Sequence, residues 1–374
     1  SSLFIMVFFL VYTASGFSAG AKLFSSVFNI DYTIALAIGA FVILVYTFLG
    51  GFLAVCWTDF VQGFMMLISL MVVPVFAISM MGGTEQTVEI LNGLGTNFLN
   101  PLYDNGEPLN FISILSQLSW ALGYFGMPHI LVRFMAIKNE SEVRKSRKIA
   151  ITWVVISLSV ACLLGAIGRA FFIDAPLDNA ENVFVDMIGK VFTDNLHIPF
   201  IGGLLLCGIL AAIMSTADSQ LLVTASSISE DVYKGVIRKN ASEKSMLWVS
   251  RITVLAVSIV AFIIALDPNS SVMGLVSNAW AGFGATFGPV VLLGLFWRRS
   301  NRIGAAAGMI GGGLMVILWD YIPLGSATLA GYTGVYSLLP GFLFGLILMV
   351  VISLLTAKPN SEMLAEFDDV KRTK

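Results

Sequence analysis

The sequence predicts an all-α polytopic membrane protein, and three observations support this class. Hydrophobic residues make up 57% of the 374-residue chain, charged residues make up 12%, and the mean hydropathy is +0.89. A soluble domain usually has about 25% charged residues and does not expose apolar patches of the size this composition would require. Ten apolar runs are long enough to cross a bilayer, and basic and acidic loops alternate between them.

Each predicted span follows from the need for about 20 apolar residues to cross the hydrocarbon core. The spans lie at 3–26, 33–54, 59–82, 110–136, 148–173, 198–229, 247–266, 272–297, 303–322 and 335–357. We expect short helices or coil in the loops 83–109 and 174–197, and poor order in the charged tail from Lys358. The chain starts inside an apolar run without an initiator Met or a basic region, so its start is not a signal peptide and predicts a longer protein.

The distribution of charge orients these spans. Most of the 21 Lys and Arg residues lie in the loops 138–148, 234–251 and 298–302 and in the tail, whereas acidic residues dominate the loops 83–109 and 174–197. Basic loops face the cytoplasm by the positive-inside rule. The sequence therefore predicts a multi-pass protein of the plasma membrane, with both ends of this chain in the cytoplasm.

The composition also excludes several kinds of site. With two histidines, a His-rich metal centre is not expected, and three cysteines without a CxxC pair indicate neither a disulfide framework nor zinc. A formal charge of −2 gives no sign of a nucleic-acid partner. We expect no organic cofactor and no obligate protein partner. An enzyme is not expected either, because we find no nucleophile–base pair and no metal cluster in the sequence.

The apolar pattern is interrupted between Trp120 and Pro128. Trp120, Tyr124 and Pro128 are spaced i, i+4, i+8 and would share one helix face. Pro128 cannot bond to the carbonyl of Tyr124, so we expect a kinked or broken helix whose freed carbonyl and rings face a substrate cavity. A proline kink packed against neighbouring helices, with the Trp as an interface anchor, is the structural alternative.

A second polar interruption lies between Gly208 and Gln220. Ala212, Ser215, Thr216 and Ser219 form one narrow stripe of a helix, and Asp218 lies beside it. Hydroxyl and carbonyl oxygens of low total charge suit a monovalent cation, whereas close helix packing is the alternative explanation. A buried carboxylate such as Asp218 requires a cation, a proton or an arginine.

Two further features have mainly structural explanations. Thr58 and Asp59, followed by Gln62, suit a helix N-cap at the cytoplasmic end of a span. Gly282, Gly284 and Gly288 form a GxGxxxG pattern, which indicates close helix packing rather than a dinucleotide site.

Five long runs resemble the sodium:solute symporter family, and most closely its bacterial sodium/proline symporters. They are YTASGFSAGAKLF, YTFLGGFLAVCWTDFVQ, WALGYFGMPHILVRFMA, GILAAIMSTADSQLL with SEDVYK, and NAWAGFGATFGPVVLLGLFWRR. The resemblance implies a LeuT-like fold of two inverted five-helix repeats. Residues 1–357 would then be the symporter domain, holding core helices three to ten and two C-terminal helices, and 358–374 a cytoplasmic tail. About ten of thirteen helices would be present, and this N-terminally truncated piece would not transport by itself.

The same resemblance implies roles for residues at matching positions. Ala212, Ser215 and Thr216 match the family's sodium site, with Ala212 contributing its carbonyl. The substrate site of the proline symporters is matched by Trp120, Tyr124 and Pro128, and Tyr12 resembles another aromatic residue of that site. Asp218 departs from the best-known proline carrier pattern, in which a small polar residue stands at this position. In some relatives the positions of Asp59, Asp218 and Ser219 lie at a second sodium site, which makes a second cation or a coupled proton a hypothesis here.

The function predicted from these residues is Na⁺-coupled import of L-proline by alternating access, with Na⁺ as the coupling ion. The alternative is a sodium symporter for another small solute, such as pantothenate or another carboxylate. From other classes, a transporter-like sensor would need a long cytoplasmic extension, and a channel would need an open pore rather than a broken helix.

Overall fold

Helices form almost all the regular structure of the protein, as the predicted class requires. The structure is a computed structural model that describes residues 1–49, 52–95, 97–104 and 106–372. It contains two compact units, each built from separate stretches of chain. The first unit consists of Ser1–Val11, Asn110–Met135 and Met273–Lys374, and the second of Tyr12–Leu109 and Ala136–Val272.

Up to Asn195, the described residues form nine α-helices and one hairpin. They are α1 (Ser2–Phe28), α2 (Tyr32–Leu49), α3 (Phe52–Met80), α4 (Thr84–Gly93), β1 (Tyr103–Asp104), β2 (Glu107–Pro108), α5 (Phe111–Leu118), α6 (Trp120–Gly123), α7 (Pro128–Met135), α8 (Glu140–Phe171) and α9 (Val183–Ile188). A 3₁₀ turn at Ala180–Asn182 precedes α9, and a π-helical stretch at Gly189–Asn195 follows it. Both loops that we expected to contain short helices or coil do so.

The described residues from 199 to 372 form seven α-helices and a second hairpin. They are α10 (Pro199–Ser226), α11 (Glu243–Ile264), α12 (Val272–Phe296), α13 (Arg302–Tyr321), β3 (Pro323–Leu324), β4 (Ala327–Thr328), α14 (Leu329–Thr333), α15 (Leu338–Leu355) and α16 (Ser361–Arg372). A π-helical stretch at Ser227–Ile237 continues α10. Both hairpins are antiparallel, with Tyr103 opposite Pro108 and Pro323 opposite Thr328.

Eight helices in the described part of the chain are long and apolar enough to cross a membrane, compared with the ten runs that we predicted. The two differences have separate reasons. The run 33–54 contributes α2, a shorter apolar helix, and residues 50 and 51 of that run lie outside the described residues. The run 110–136 is divided into α5, α6 and α7: Ser119 separates the first two, and the turn at residues 124–127, which Pro128 follows, separates the last two.

The second unit is organised around α10, which packs along α3. A methyl group on Gly208 would overlap the Ser69 hydroxyl, so the glycine permits this close approach. One apolar cluster joins α3, α8, α9, the π-helical stretch after α9, and α10. Its buried members are Val73, Ala77, Leu164, Ile167, Met187, Ile188, Val191, Phe192 and Leu205. The segment around α9 is thus anchored in the interior of this unit.

In the first unit, α13 and α15 pack closely through glycines. A methyl group on Gly308 would lie 2.8 Å from the Gly345 carbonyl oxygen. Asn301 caps α13 by accepting from the Gly304 N–H at 2.8 Å, and its amide nitrogen donates to the Ala357 carbonyl at 2.8 Å. Glycines allow the two helices to pack closely, and the side-chain amide of Asn301 links the start of α13 to the chain just after α15.

Most of the tail, Ser361–Arg372, forms α16, which differs from the poor order that we expected from Lys358. Leu364 and Phe367, three residues apart, are half-buried on one side of α16. Asp368 accepts two hydrogen bonds from Arg298, at 2.9 Å from Nε and 2.8 Å from Nη2. Our expectation considered only the number of charged residues in the tail. The two half-buried apolar side chains and the bidentate bond to Arg298 are what hold α16 in place.

Candidate functional site

The break in the run 110–136 is the central feature of the first unit. α6 ends at Gly123, residues 124–127 form a turn, and α7 begins at Pro128. The Met127 carbonyl accepts the N–H of Leu131 at 3.0 Å and so starts the hydrogen-bond ladder of α7. Proline is favoured at a first helical position, because it has no N–H to satisfy. The predicted broken helix is confirmed.

Aromatic rings surround this break. Tyr124 meets Trp280 edge-on at 4.9 Å between ring centroids, and Trp120 lies 6.0 Å from the same indole. Trp120 also stacks on Tyr336, with centroids 5.2 Å apart and planes 22° apart. The Trp280 Nε1 donates to the backbone carbonyl of Trp120 at 3.0 Å, which fixes the Trp280 indole against α6.

The sequence therefore identified two rings of a group of four. Because the helix ends at Gly123, the argument that Trp120, Tyr124 and Pro128 share the face of one continuous helix does not apply; Pro128 is buried at the start of α7. Trp280 and Tyr336 were missed. The sequence feature that could have identified Trp280 is its position in Asn278-Ala-Trp-Ala-Gly282. A large ring flanked by alanine and glycine can fill the space that these small side chains leave.

Glycines bring α12 against the break. A methyl group on Gly123 would overlap the Trp280 indole, and one on Gly126 would overlap the Phe283 carbonyl. Within α12, methyl groups on Gly282 and Gly288 would overlap the rings of Phe8 and Phe342, respectively. The expectation that the GxGxxxG pattern serves close packing is confirmed.

In the second unit, the predicted sodium ligands form one turn of α10. Ser215 Oγ and Thr216 Oγ1 both donate to the Ala212 carbonyl oxygen, at 3.2 and 3.0 Å. All three residues are half-buried, whereas the four residues from Ala217 to Gln220 are buried. A hydroxyl that donates its one proton keeps its lone pairs, so both oxygens can still coordinate a cation.

The hypothetical second site also comes together. Ser219 Oγ lies 2.9 Å from the Ser215 carbonyl, 3.4 Å from Asp59 Oδ2 and 3.5 Å from Asp218 Oδ1. Asp218 is fully buried and Asp59 half-buried. Two carboxyl groups and one hydroxyl group therefore lie close together in the second unit.

Asp59 does not cap a helix, so that interpretation was wrong. α3 is helical from Phe52, which places Asp59 two turns inside it. Thr58 donates back to the Val55 carbonyl at 3.0 Å, a bond typical of a helix interior. The cap pattern was misleading because the residues before it, Leu53 to Trp57, are themselves compatible with a helix.

The structure places Tyr12 in the second unit, as that unit's first residue, where its carbonyl accepts from Ser15 Oγ at 2.6 Å. The next residue, Thr13, donates to Gln220 Oε1 at 3.2 Å in the buried contact between α1 and α10. Sequence reasoning missed this pair. Its only signal was an amide, Gln220, at the end of the polar stretch of α10.

Comparison with known proteins gives consistent results. The model of the sodium:solute symporter family matches residues 1–312. The sodium/proline symporter of Escherichia coli (strain K12) is 45% identical over 373 residues, covering 98% of this chain and 71% of that protein. The high-affinity proline transporter PutP of Bacillus subtilis (strain 168) is 42% identical over 375 residues, covering 100% of this chain and 76% of that protein.

A solved structure is similar in fold. It is described as the substrate-bound, outward-open state of a Na⁺-coupled sialic acid symporter with a novel Na⁺ site. The TM-score is 0.74 at 16% sequence identity, and the match covers 96% of this chain and 74% of that one. At this identity the likeness concerns the fold alone, and it confirms the expected all-α, LeuT-like class.

Proposed function

The chain belongs to the sodium:solute symporter family, and from that premise we propose that it imports L-proline together with Na⁺. Both curated relatives described above are named as proline transporters. The observation that carries the proposal is the broken helix 111–135, whose break is surrounded by indole and phenol rings. Such breaks expose backbone groups and side chains to a substrate at mid-membrane.

The substrate contacts the rings of Trp120 and Tyr124. An apolar pyrrolidine ring gains by leaving water for these faces, and its secondary ammonium is attracted to them. Pro128 acts through the backbone. It has no N–H to bond to the Tyr124 carbonyl, so the helical hydrogen bonds are interrupted at residues 124–127. Tyr12 stays a prediction from the family resemblance.

Na⁺ binds to the turn of α10 that holds the two hydroxyl groups. The ligands contributed by this chain are the carbonyl of Ala212 and the side-chain oxygens of Ser215 and Thr216. Coupling needs only that Na⁺ and proline each bind one conformational state better than the other, and this linkage is reciprocal. No covalent chemistry is involved, so the protein acts as a transporter rather than an enzyme.

A second cation, either Na⁺ or a proton, is held by Asp59, Asp218 and Ser219. The support is the placement of both carboxyl groups within 3.5 Å of one hydroxyl oxygen.

The protein lies in the plasma membrane with both ends of this chain on the cytoplasmic side. The positive-inside rule supports this orientation.

The test is Na⁺-dependent uptake of radiolabelled proline by the full gene product in proteoliposomes. Ser215→Ala and Thr216→Ala each remove one oxygen ligand and are expected to raise the Na⁺ concentration for half-maximal uptake about tenfold, which corresponds to about 1.4 kcal/mol. Ser157→Ala is the matched control, because Ser157 also bonds back within its own helix, to the Val154 carbonyl at 3.3 Å. Unchanged Na⁺ dependence in both α10 variants would refute the sodium assignment.

Competition separates proline from other solutes. An excess of unlabelled proline should abolish uptake, whereas pantothenate and simple carboxylates should leave it unchanged. If pantothenate competes and proline does not, the substrate assignment is wrong even where the Na⁺ dependence holds.

A further inference from the structure

A cavity of about 540 Å³ lies within the first unit. Its walls come from α5 and α6, from the start of α12, from the end of α13 and from the segment 330–337. Cavities of about 300–1,000 Å³ are of the size that holds small ligands. Trp120 forms part of the wall, so the cavity extends to the aromatic group at the helix break.

The wall carries a single formal charge. Asp320 is its one ionisable carboxylate, and neither Lys, Arg nor His is found among the described residues that form the wall. Ser337 Oγ donates to Asp320 Oδ2 at 2.7 Å, and Asn278 Nδ2 donates to the same oxygen at 3.1 Å. Both bonds orient the carboxylate while leaving Oδ1 without a donor from the described part of the chain.

The wall beside this carboxylate is held in place. Tyr336 donates its hydroxyl to the Ser277 carbonyl at 2.6 Å, and its backbone N–H donates to Ser116 Oγ at 2.8 Å. Its ring stacks on Trp120. A fixed anion next to fixed ring systems is a preorganised environment for a cation, because few groups need to reorient on binding.

We propose that this cavity is an access subsite that binds the ammonium group of the transported solute before the solute reaches Trp120 and Tyr124. The inference rests on the proposed function and names a step that precedes binding at the helix break. The one carboxylate among the described residues of this wall lies beside three aromatic rings, those of Trp120, Tyr321 and Tyr336, and such rings attract an organic ammonium group but are not the hard oxygen ligands that an alkali ion prefers. The combination favours an organic ammonium group, and the solute carboxylate stays hydrated because no cation faces it.

The position along α13 supports a role in entry. Asp320 lies near the end of this helix, and Arg302 lies at its beginning. Arg302 belongs to a basic loop that faces the cytoplasm in the proposed orientation, so the Asp320 end faces outside. A fixed negative charge at that end raises the local concentration of cationic groups.

The experiment compares proline uptake by the full gene product in proteoliposomes across four variants. Asp320→Asn keeps the size of the side chain and removes its charge, and it should raise KM about fivefold or more with Vmax within twofold of wild type. Asp320→Glu should restore KM. Gln117→Lys, at an exposed wall position, places a competing cation in the cavity and should also raise KM. Asp178→Asn, an identical change in an exposed loop, should behave as wild type.

A binding measurement separates this inference from the proposed function. L-proline methyl ester carries the ammonium group without the carboxylate, and calorimetric titration of purified protein should show that Asp320→Asn weakens its binding. If wild type does not take up proline, the proposed function fails, but weaker ester binding in that variant still supports the subsite. Gln117→Lys leaves both hydrogen bonds of Asp320 in place, so a folding defect in Asp320→Asn does not prevent the test.

Three results would overturn the inference. One is a KM within twofold of wild type in both Asp320→Asn and Gln117→Lys. Another is ester binding that does not depend on Asp320. The third is Na⁺ binding in place of the ester with the same dependence on this carboxylate.

Discussion

Replacing Gly126 by alanine tests whether the broken helix is held by direct backbone contact with α12. An added methyl group at this position would overlap the Phe283 carbonyl carbon and oxygen and lie 2.9 Å from the Gly288 nitrogen. All three atoms belong to the backbone of α12, which cannot turn aside as a flexible side chain can. Either α12 moves away from the break, or the turn at residues 124–127 changes shape.

Two opposing effects set the expected change in the free energy of unfolding. Overpacking of a dense interior costs about 1–3 kcal/mol. Replacement of glycine by alanine returns roughly 0.5–1 kcal/mol, because it reduces the freedom of the unfolded chain. The net expectation is a loss of about 1–2 kcal/mol in the free energy of unfolding, together with a higher KM for proline, because Tyr124 and Trp280 would separate.

Unfolding in mixed micelles of increasing SDS content measures the free energy of unfolding, and proline uptake measures KM. Gly165→Ala is the matched control, since an added methyl group there would meet no atom of the described residues within 4 Å. That variant should be neutral or slightly more stable. If Gly126→Ala unfolds and transports like Gly165→Ala, backbone contact does not hold the break in place.

Three further predictions concern charged groups. Burial raises the pKa of Glu181, but hydrogen bonds and the charge of Lys22 outweigh this effect, so the pKa in the folded protein is lowered. The ion pair should therefore stabilise the fold fully above about pH 4.3, the pKa of Glu in an unfolded chain. This stabilisation should be lost as the pH falls through the lower pKa of the folded protein. Glu181→Gln should accordingly reduce thermal stability at pH 7, and the difference from wild type should vanish at acidic pH. Asp368→Asn should weaken the bidentate bond from Arg298, so hydrogen exchange in α16 should become faster while exchange in α13 stays unchanged. Asp218→Asn should lower the Hill coefficient for Na⁺ if a second Na⁺ binds, and leave it unchanged if the second cation is a proton.

The parts of the fold that depend on hydrophobic length were predictable. Spans such as α8 and α11 are continuous apolar runs, and a bilayer requires every backbone group in them to be satisfied within the helix. The break at Pro128 was also predictable, because proline lacks the N–H that would bond to Tyr124. These conclusions need only the local chain and the solvent around it.

The partners of the site could not be predicted in the same way. Trp280 and Tyr336 lie far from Trp120 along the chain, and only the packing of α12 and the segment 330–337 brings them to it. Asp59 shows the converse: its local pattern suited a cap, yet it lies inside α3 and near Ser219. Local sequence specifies what a residue can bond to, whereas tertiary packing decides which of those bonds forms.

The polar stretch of α10 connects the two proposed cation sites. Ser215 contributes its side-chain oxygen to the proposed sodium site, and its own carbonyl accepts from Ser219 at 2.9 Å. Ser219 in turn lies beside the carboxyl groups of Asp218 and Asp59. A cation bound between those carboxyl groups would compete for the Ser219 oxygen and alter the bond to the Ser215 carbonyl. Because such coupling is reciprocal, occupation of either site should change the affinity of the other by the same factor, and one turn of α10 is enough to transmit it.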